Sequence, residues 1–184
     1  IPSRFLAITH GVSAVGKSSV AMRLVEALGA IRLRSDVIRK QLFGAQQREN
    51  AVGEGIYSTD ASDSTYKKLH ELAATVLRAG FPVIIDATYL KREQRDAAAS
   101  VAESTGVPCL IIDCDAPDAV IEGWLAHRQA QGTDPSDATL DVVRAQRARR
   151  EPLGADEVLR SKHIETNNSK SLDTLIADIR QRLP

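Results

Sequence analysis

The sequence predicts an α/β fold, a parallel sheet with helices on both faces. Apolar, β-branched runs alternate with segments of helical period from one end of the chain to the other. Two of those runs, 81–87 (FPVIIDA) and 109–114 (CLIIDC), are almost continuously apolar, as strands covered on both faces must be. The 184 residues, 43% of them hydrophobic, suit one domain with its own core and no staple of disulfide or metal.

Each element follows from local chemistry. Arg4–His10 is a strand stopped at Gly11, and a glycine-containing loop leads into a helix over Ser18–Leu28, with Val20, Leu24 and Leu28 on one face and Gly29 as its C-cap. Ala30–Arg34 is a short second strand. Ser35 and Asp36 are placed to cap a helix that runs to about Phe43 and stops at Gly44. Ala45–Ser64 is polar and without period, and is expected to be an excursion or lid over a site. Thr65–Arg78 is helical through Leu69, Leu72, Val76 and Leu77, and closes at Gly80 before the strand Phe81–Ala87. An alanine-rich helix over Lys91–Glu103 ends at Gly106 and Pro108, and the strand Cys109–Cys114 follows. A helix from Asp118 to about Gln129, a loop over Gln131–Asp137, and a charged helix over Ala138–Arg150 come next. Lys162–Thr166 is a last strand and Leu172–Leu183 an amphipathic final helix. Right-handed crossovers put every strand's carboxyl end on one rim, so functional side chains belong near Gly11, Ser35, Asp86 and Asp115.

Composition excludes several classes. The net charge is zero and the pI near 7.1, so nothing in the overall charge draws the chain to nucleic acid or an anionic membrane. Of 24 basic residues 17 are arginine, which suits bidentate phosphate contacts. No apolar run reaches membrane-spanning length and no signal-like segment opens the chain, which leads us to expect a cytoplasmic location. Cys109 and Cys114 share one strand, too far apart along it for a disulfide, so two free thiols are expected. His10, His70, His127 and His163 lack metal-ligand spacing. A start at Ile1 suggests a processed chain or a piece of a longer one, read here as a single domain over 1–184 with a partner or fused domain upstream as a further expectation.

Residues 11–18, GVSAVGKS, match G-x-x-x-x-G-K-[ST] at every fixed position, between a strand and a helix. Gly11 and Gly16 let the backbone of Ser13, Ala14 and Val15 curl its N–H groups around a phosphate, and the helix beginning near Lys17 turns its positive end, with Ser18 and Ser19, on the same anion. Lys17 reaches the β/γ-phosphates of a nucleotide such as ATP, and Ser18 ligates Mg²⁺. No N-K-x-D guanine motif occurs, and 184 residues leave no room for the extra domains of ring or ABC-type ATPases. A small kinase fits best.

Such an enzyme needs a base for the acceptor hydroxyl, a carboxylate for the metal, and cations over the transferring group. Asp36, on the active rim, is the candidate base, with a helix N-cap as the alternative role; Arg39, one turn on, is placed to hold an anionic part of the acceptor or a phosphate. Asp86 ends an apolar strand where the metal-ordering acid belongs, with Thr88 just beyond. A helical lid over about 124–150 would bring Arg128 and Arg144 onto the phosphates, unless the pair is simply a solvated helical hairpin. Arg95 and Tyr57 are further candidates for the acceptor pocket.

On these residues the chain resembles the small P-loop kinases related to polynucleotide 5′-kinases, zeta toxins, gluconate kinase and chloramphenicol phosphotransferase. The resemblance rests on 11–18, on Arg34 to Lys40 (RSDVIRK), on Val83 to Leu90 (VIIDATYL) and on Arg128 at the start of the lid. Within that group it is most similar to bacterial kinases whose domain often follows an aminoglycoside-phosphotransferase-like domain. The resemblance implies an adenylate-kinase-like fold with five parallel strands, use of ATP and Mg²⁺, and a general base at Asp36. Polynucleotide kinases carry a second lid arginine soon after the first, where this chain reads QAQGT after Arg128. The expected activity is therefore transfer of a γ-phosphoryl group to a small-molecule hydroxyl, with polynucleotide 5′-hydroxyl kinase and a non-enzymatic ATP-binding regulatory module as alternatives.

Overall fold

In the computed structural model, residues 3–44, 59–131 and 139–182 are described. Five strands, β1 (Leu6–His10), β2 (Ile31–Arg34), β3 (Val83–Asp86), β4 (Cys109–Asp115) and β5 (Ser161–Glu165), form one sheet in the order β2-β3-β1-β4-β5. All four pairings are parallel, with Leu6 opposite both Val83 and Cys109, and Arg34 opposite Asp86. This is the predicted α/β architecture, and the first crossover carries the chain from central β1 to the sheet edge at β2.

The helices are α1 (Lys17–Leu28), α2 (Ser35–Phe43), α3 (Thr59–Arg78), α4 (Arg92–Thr105), α5 (Asp118–Gln131), α6 (Leu140–Arg149), α7 (Ala155–Val158) and α8 (Ser169–Arg182). Strand alternation splits the apolar side chains into two layers. Ala7, Ile84, Ile112 and Ile164 pack with Val20, Leu24 and Ile176 on the α1 and α8 face. Leu6, Ile8, Ile85 and Ile111 pack with Leu69, Leu77 and Ala98 on the α3 and α4 face. Burial on both faces explains why these strands read as nearly unbroken apolar runs.

Several boundaries differ from the sequence reading. Helix α3 begins at Thr59 rather than Thr65, because its first turn is polar and carries no apolar period; Asp60 lies in that turn, where a carboxylate favours the helix N-terminus. Ala61 is buried and its carbonyl accepts from Thr65 Oγ1 at 2.7 Å. Helix α8 starts before Leu172, its first turn secured by Asn168 Oδ1 accepting from the Lys170 N–H at 3.0 Å. One turn, α7, is too short to show a period. Tyr57 and most of the proposed excursion, together with loop residues 132–138, lie outside the described residues.

Candidate functional site

The loop from Gly11 to Ser18 joins β1 to α1 at the carboxyl rim. Gly11, with φ of 153°, lies so close to β4 that a Cβ would stand 2.6 Å from the Cys114 carbonyl oxygen, and its N–H donates to the Thr88 carbonyl at 3.1 Å. Gly16, at φ 93°, faces Thr166 and Trp124, which a Cβ would meet at 2.9 and 3.2 Å. Thr166 Oγ1 donates to the Val15 carbonyl. Ala14 also holds a left-handed conformation, at φ 63°. Neither glycine position has space or dihedral tolerance for a side chain.

Lys17 opens α1 and is buried, its Nζ donating to the Val12 carbonyl at 2.6 Å. Burial pushes its pKa down, while the carboxylates of Asp86 and Asp36 work to keep the ammonium charged and the guanidinium of Arg128 opposes them. Arg128 therefore stands within the electrostatic field of the loop lysine. Next along α1, Ser18 is half-buried and Ser19 exposed.

On the β3 side, the Ser18 hydroxyl donates to Asp86 Oδ2 at 3.1 Å. The same oxygen accepts from Arg32 Nη2 at 2.6 Å and Arg32 Nε at 3.1 Å. Asp36 sits in the first turn of α2, behind an N-cap at Arg34 that makes no side-chain cap hydrogen bond; the N-cap role offered as its alternative belongs to a different residue. Burial raises the Asp36 pKa, opposed first by Arg39, at 3.6 Å from its Oδ1, and then by Lys17 and Arg34. Burial thus works against the ionised carboxylate while a lysine and two arginines work for it.

These residues fit a bound nucleotide and cation. The loop offers a backbone curled at Gly11, Ala14 and Gly16 around a buried ammonium. Ser18 and Asp86 present hard oxygen donors, and among the described residues no cluster of three or more His, Cys, Asp or Glu forms an all-protein metal cage. One carboxylate and a hydroxyl, completed by phosphate oxygens and water, is the usual manner of holding Mg²⁺.

Other predicted residues fall differently. Thr88 lies at the rim, half-buried, with its Oγ1 3.3 Å from the Tyr66 hydroxyl. Arg95 does not line the rim: it is fully buried, its guanidinium held by both Glu157 carboxylate oxygens at 2.7 and 3.1 Å and by the carbonyls of Tyr89, Leu90 and Pro152. It joins α4 to α7 and is unable to meet an acceptor. Arg144 likewise stands at the surface, 4.0 Å from Asp141. The α6 side chain that reaches the loop is Gln146, whose Oε1 accepts from the Ser13 N–H at 2.6 Å while its Nε2 donates to Ser13 Oγ at 2.9 Å.

Gln146, Arg32 and Trp124 are thus neighbours of the site that the sequence reading did not select. For Arg32 a signal existed, since Ile31 to Arg34 alternates apolar and basic, and places two arginines on the face of Asp86. Gln146 had none. Behind the loop, His10 Nδ1 bonds the Tyr89 carbonyl at 3.0 Å and its Nε2 accepts from Arg150 Nε at 3.2 Å, which fixes the tautomer with the proton on Nδ1. Arg150 continues to Asp113 at 3.3 Å, so the end of α6 is tied to β1 and β4. Tyr89 holds φ of 46° with its ring buried against Tyr66 and its hydroxyl 3.0 Å from His70 Nε2.

Residues 6–153 match a protein-family model described as an AAA domain. Curated relatives of the chain include uncharacterized proteins of Mycobacterium tuberculosis and Mycobacterium bovis, 30% identical over 147 residues that make up 78% of this chain but 29% of theirs. The chain thus spans less than a third of those relatives' length. Solved structures of similar fold include a sugar kinase from Janibacter (TM-score 0.70, 20% identity, 96% of this chain and 94% of that one). A gluconokinase from Sinorhizobium meliloti superposes with TM-score 0.69 at 17% identity, covering 98% and 93%. The APS kinase of Mycobacterium tuberculosis gives 0.62 at 19% identity, covering 98% of each chain.

Proposed function

The chain belongs to the AAA domain family, and from that premise and the site geometry we propose that it is an ATP-dependent phosphotransferase acting on a hydroxyl group of a small molecule. The observation that carries this reading is Asp36, a carboxylate whose affinity for a proton is raised by burial in the same electrostatic site as the loop lysine, Lys17. The same carboxylate could take a proton from water, so transfer to an acceptor measured against hydrolysis is what distinguishes the two reactions. In the proposed reaction the acceptor oxygen forms a bond to the γ-phosphorus as the bond from that phosphorus to the β-phosphate oxygen breaks. The hydroxyl proton passes to Asp36 and ADP departs.

The other residues support this chemistry by position. Lys17 and Arg128 place positive charge where the transferring group gains negative charge. Ser18 and Asp86 would hold Mg²⁺, which neutralises the phosphates. Arg39, beside Asp36, suits an acceptor bearing an anionic group. Names among the similar folds, sugar kinase, gluconokinase and APS kinase, agree with a hydroxyl acceptor of modest size.

Turnover of γ-labelled ATP with Mg²⁺ over a panel of sugars, sugar acids, aminoglycosides and nucleosides, beside a 5′-hydroxyl oligonucleotide, tests the proposal. Label on a small acceptor, abolished in Lys17→Ala, is the expected result; label on the oligonucleotide alone would replace the acceptor class. The short span of the chain against its relatives supports a second reading, a module that binds ATP to regulate an attached domain. Tight ATP binding with no transfer to any acceptor would favour it.

A further inference from the structure

The Asp86 carboxylate is already engaged by a cation of the protein's own. Its Oδ2 accepts from two nitrogens of Arg32, at 2.6 and 3.1 Å, and from Ser18 Oγ at 3.1 Å. The pair is sheltered, with the Asp86 and Arg32 side chains 7% and 17% exposed. Three donors on one oxygen use its acceptor capacity. A divalent cation held by Ser18 and Asp86 would draw on the same carboxylate. It would then compete with the guanidinium for lone pairs and, in a site of low dielectric, repel it.

We propose that Arg32 is an internal counter-cation that holds Asp86 until a divalent metal displaces it, so that the free metal binds weakly and enters together with the polyphosphate. Arg32 suits this part for three reasons. It comes from edge strand β2, bonded to β3 alone, and reaches Asp86 along the sheet from a position opposite Ile84. Its long side chain can swing without moving the strand. An incoming polyphosphate supplies ligands to the metal and negative charge for the released guanidinium, which offsets the broken ion pair. The metal alone supplies neither. Without Arg32, Asp86 would be a nearly buried carboxylate lacking its ion-pair partner, a costly arrangement in the metal-free protein.

The proposal rests on the assignment of Ser18 and Asp86 to the metal, and the experiment separates the two. Mn²⁺ binding is titrated on the nucleotide-free protein by electron paramagnetic resonance of the unbound ion, for wild type, Arg32→Gln, Arg32→Lys and Asp86→Asn. We expect weak binding by wild type and loss of it in Asp86→Asn. Arg32→Gln should bind at least about tenfold tighter, the scale of removing one close unit charge, and Arg32→Lys, which cannot grip bidentately, several-fold tighter. Mn²⁺ should also raise the melting temperature of Arg32→Gln more than that of wild type. Unchanged or weaker Mn²⁺ binding in Arg32→Gln, with Asp86→Asn still deficient, overturns the proposal and leaves the metal assignment standing. Equal binding by Asp86→Asn and wild type overturns that assignment instead. Should Arg32→Gln fail to fold, the lysine variant decides, and affinity no tighter than wild type overturns the proposal.

Discussion

Gln146 grips Ser13 with both ends of its amide, accepting from the backbone N–H at 2.6 Å and donating to the hydroxyl at 2.9 Å, and so fastens helix α6 onto the nucleotide loop. Two such bonds in a half-buried setting are worth about 1–3 kcal/mol together. Gln146→Ala is expected to raise the KM for ATP about five- to tenfold with a smaller effect on kcat. In a double-mutant cycle, Ser13→Ala with Gln146→Ala should be less damaging than the sum of the singles. Strict additivity would show that the two residues do not act together.

Asp36 supplies a prediction with two opposed signs. In the proposed role of base it must be ionised, so Asp36→Asn should slow transfer by about 10²–10⁴-fold while ATP affinity, followed by calorimetry, stays within a few-fold of wild type. Because burial raises its folded-state pKa, the fold prefers the protonated form. Stability from this group is present at low pH and declines as pH rises through the raised value. At neutral pH the uncharged asparagine should therefore be tolerated better than aspartate, with a melting temperature higher by about 2 °C or more. A variant both inactive and less stable would point to a structural role.

His10 gives the opposite pH dependence. Buried and fixed between the Tyr89 carbonyl and Arg150, it titrates at about 4 rather than 6.5, with burial the main cause. The unfolded chain takes up its proton first, so stability falls as pH drops from 6.5 toward 4, by about 3 kcal/mol from this residue. His70, also lowered to about 4 by burial, acts in the same direction. His163, held between Asp113 and Glu165, is raised and acts against them. Urea titrations at pH 7 and pH 4.5 should show the loss, and His10→Gln should make it smaller.

Arg95 and Glu157 form a fully buried ion pair. Removing Glu157 leaves the buried Arg95 guanidinium without its carboxylate, at an expected cost of about 3–5 kcal/mol, and removing Arg95 should cost less, because Arg92 Nη1 still stands 3.4 Å from Glu157 Oε1. Replacing both, as Arg95→Met with Glu157→Leu, should recover much of that loss. The acceptor KM of the folded double variant should match wild type; a large rise would return Arg95 to the acceptor pocket.

What the sequence revealed and what it concealed divide along a physical line. The loop 11–18 is legible because its chemistry is backbone chemistry, and Gly11 and Gly16 stand where no other residue fits. The strands are legible because both their faces are buried. Arg95 was misread since position on a helix face says nothing of depth, and its partner Glu157 lies on a four-residue helix with no periodic trace. Gln146 meets Ser13 across 133 residues of sequence, a contact made by packing alone. Arg144 has the charge expected of a lid residue, yet the helix turns it outward toward Asp141.

The crossover from β1 to β2 divides the labour of the site between two kinds of real estate. The nucleotide loop and Lys17 are rooted in central β1, hydrogen-bonded on both sides and immovable without loss of the core. Arg32, Arg34, Asp36 and Arg39 hang on the rim of the sheet and the helix that follows it. Residues 31–44 make one strand pairing, to β3, and of their apolar side chains only Ile38 is buried in the core, with Leu33 packed against it. On the proposed reading, acceptor recognition can be altered along this stretch at positions other than Arg32 and Asp36 while the loop 11–18 stays as it is, and an engineer seeking a new substrate has the same short stretch to work on.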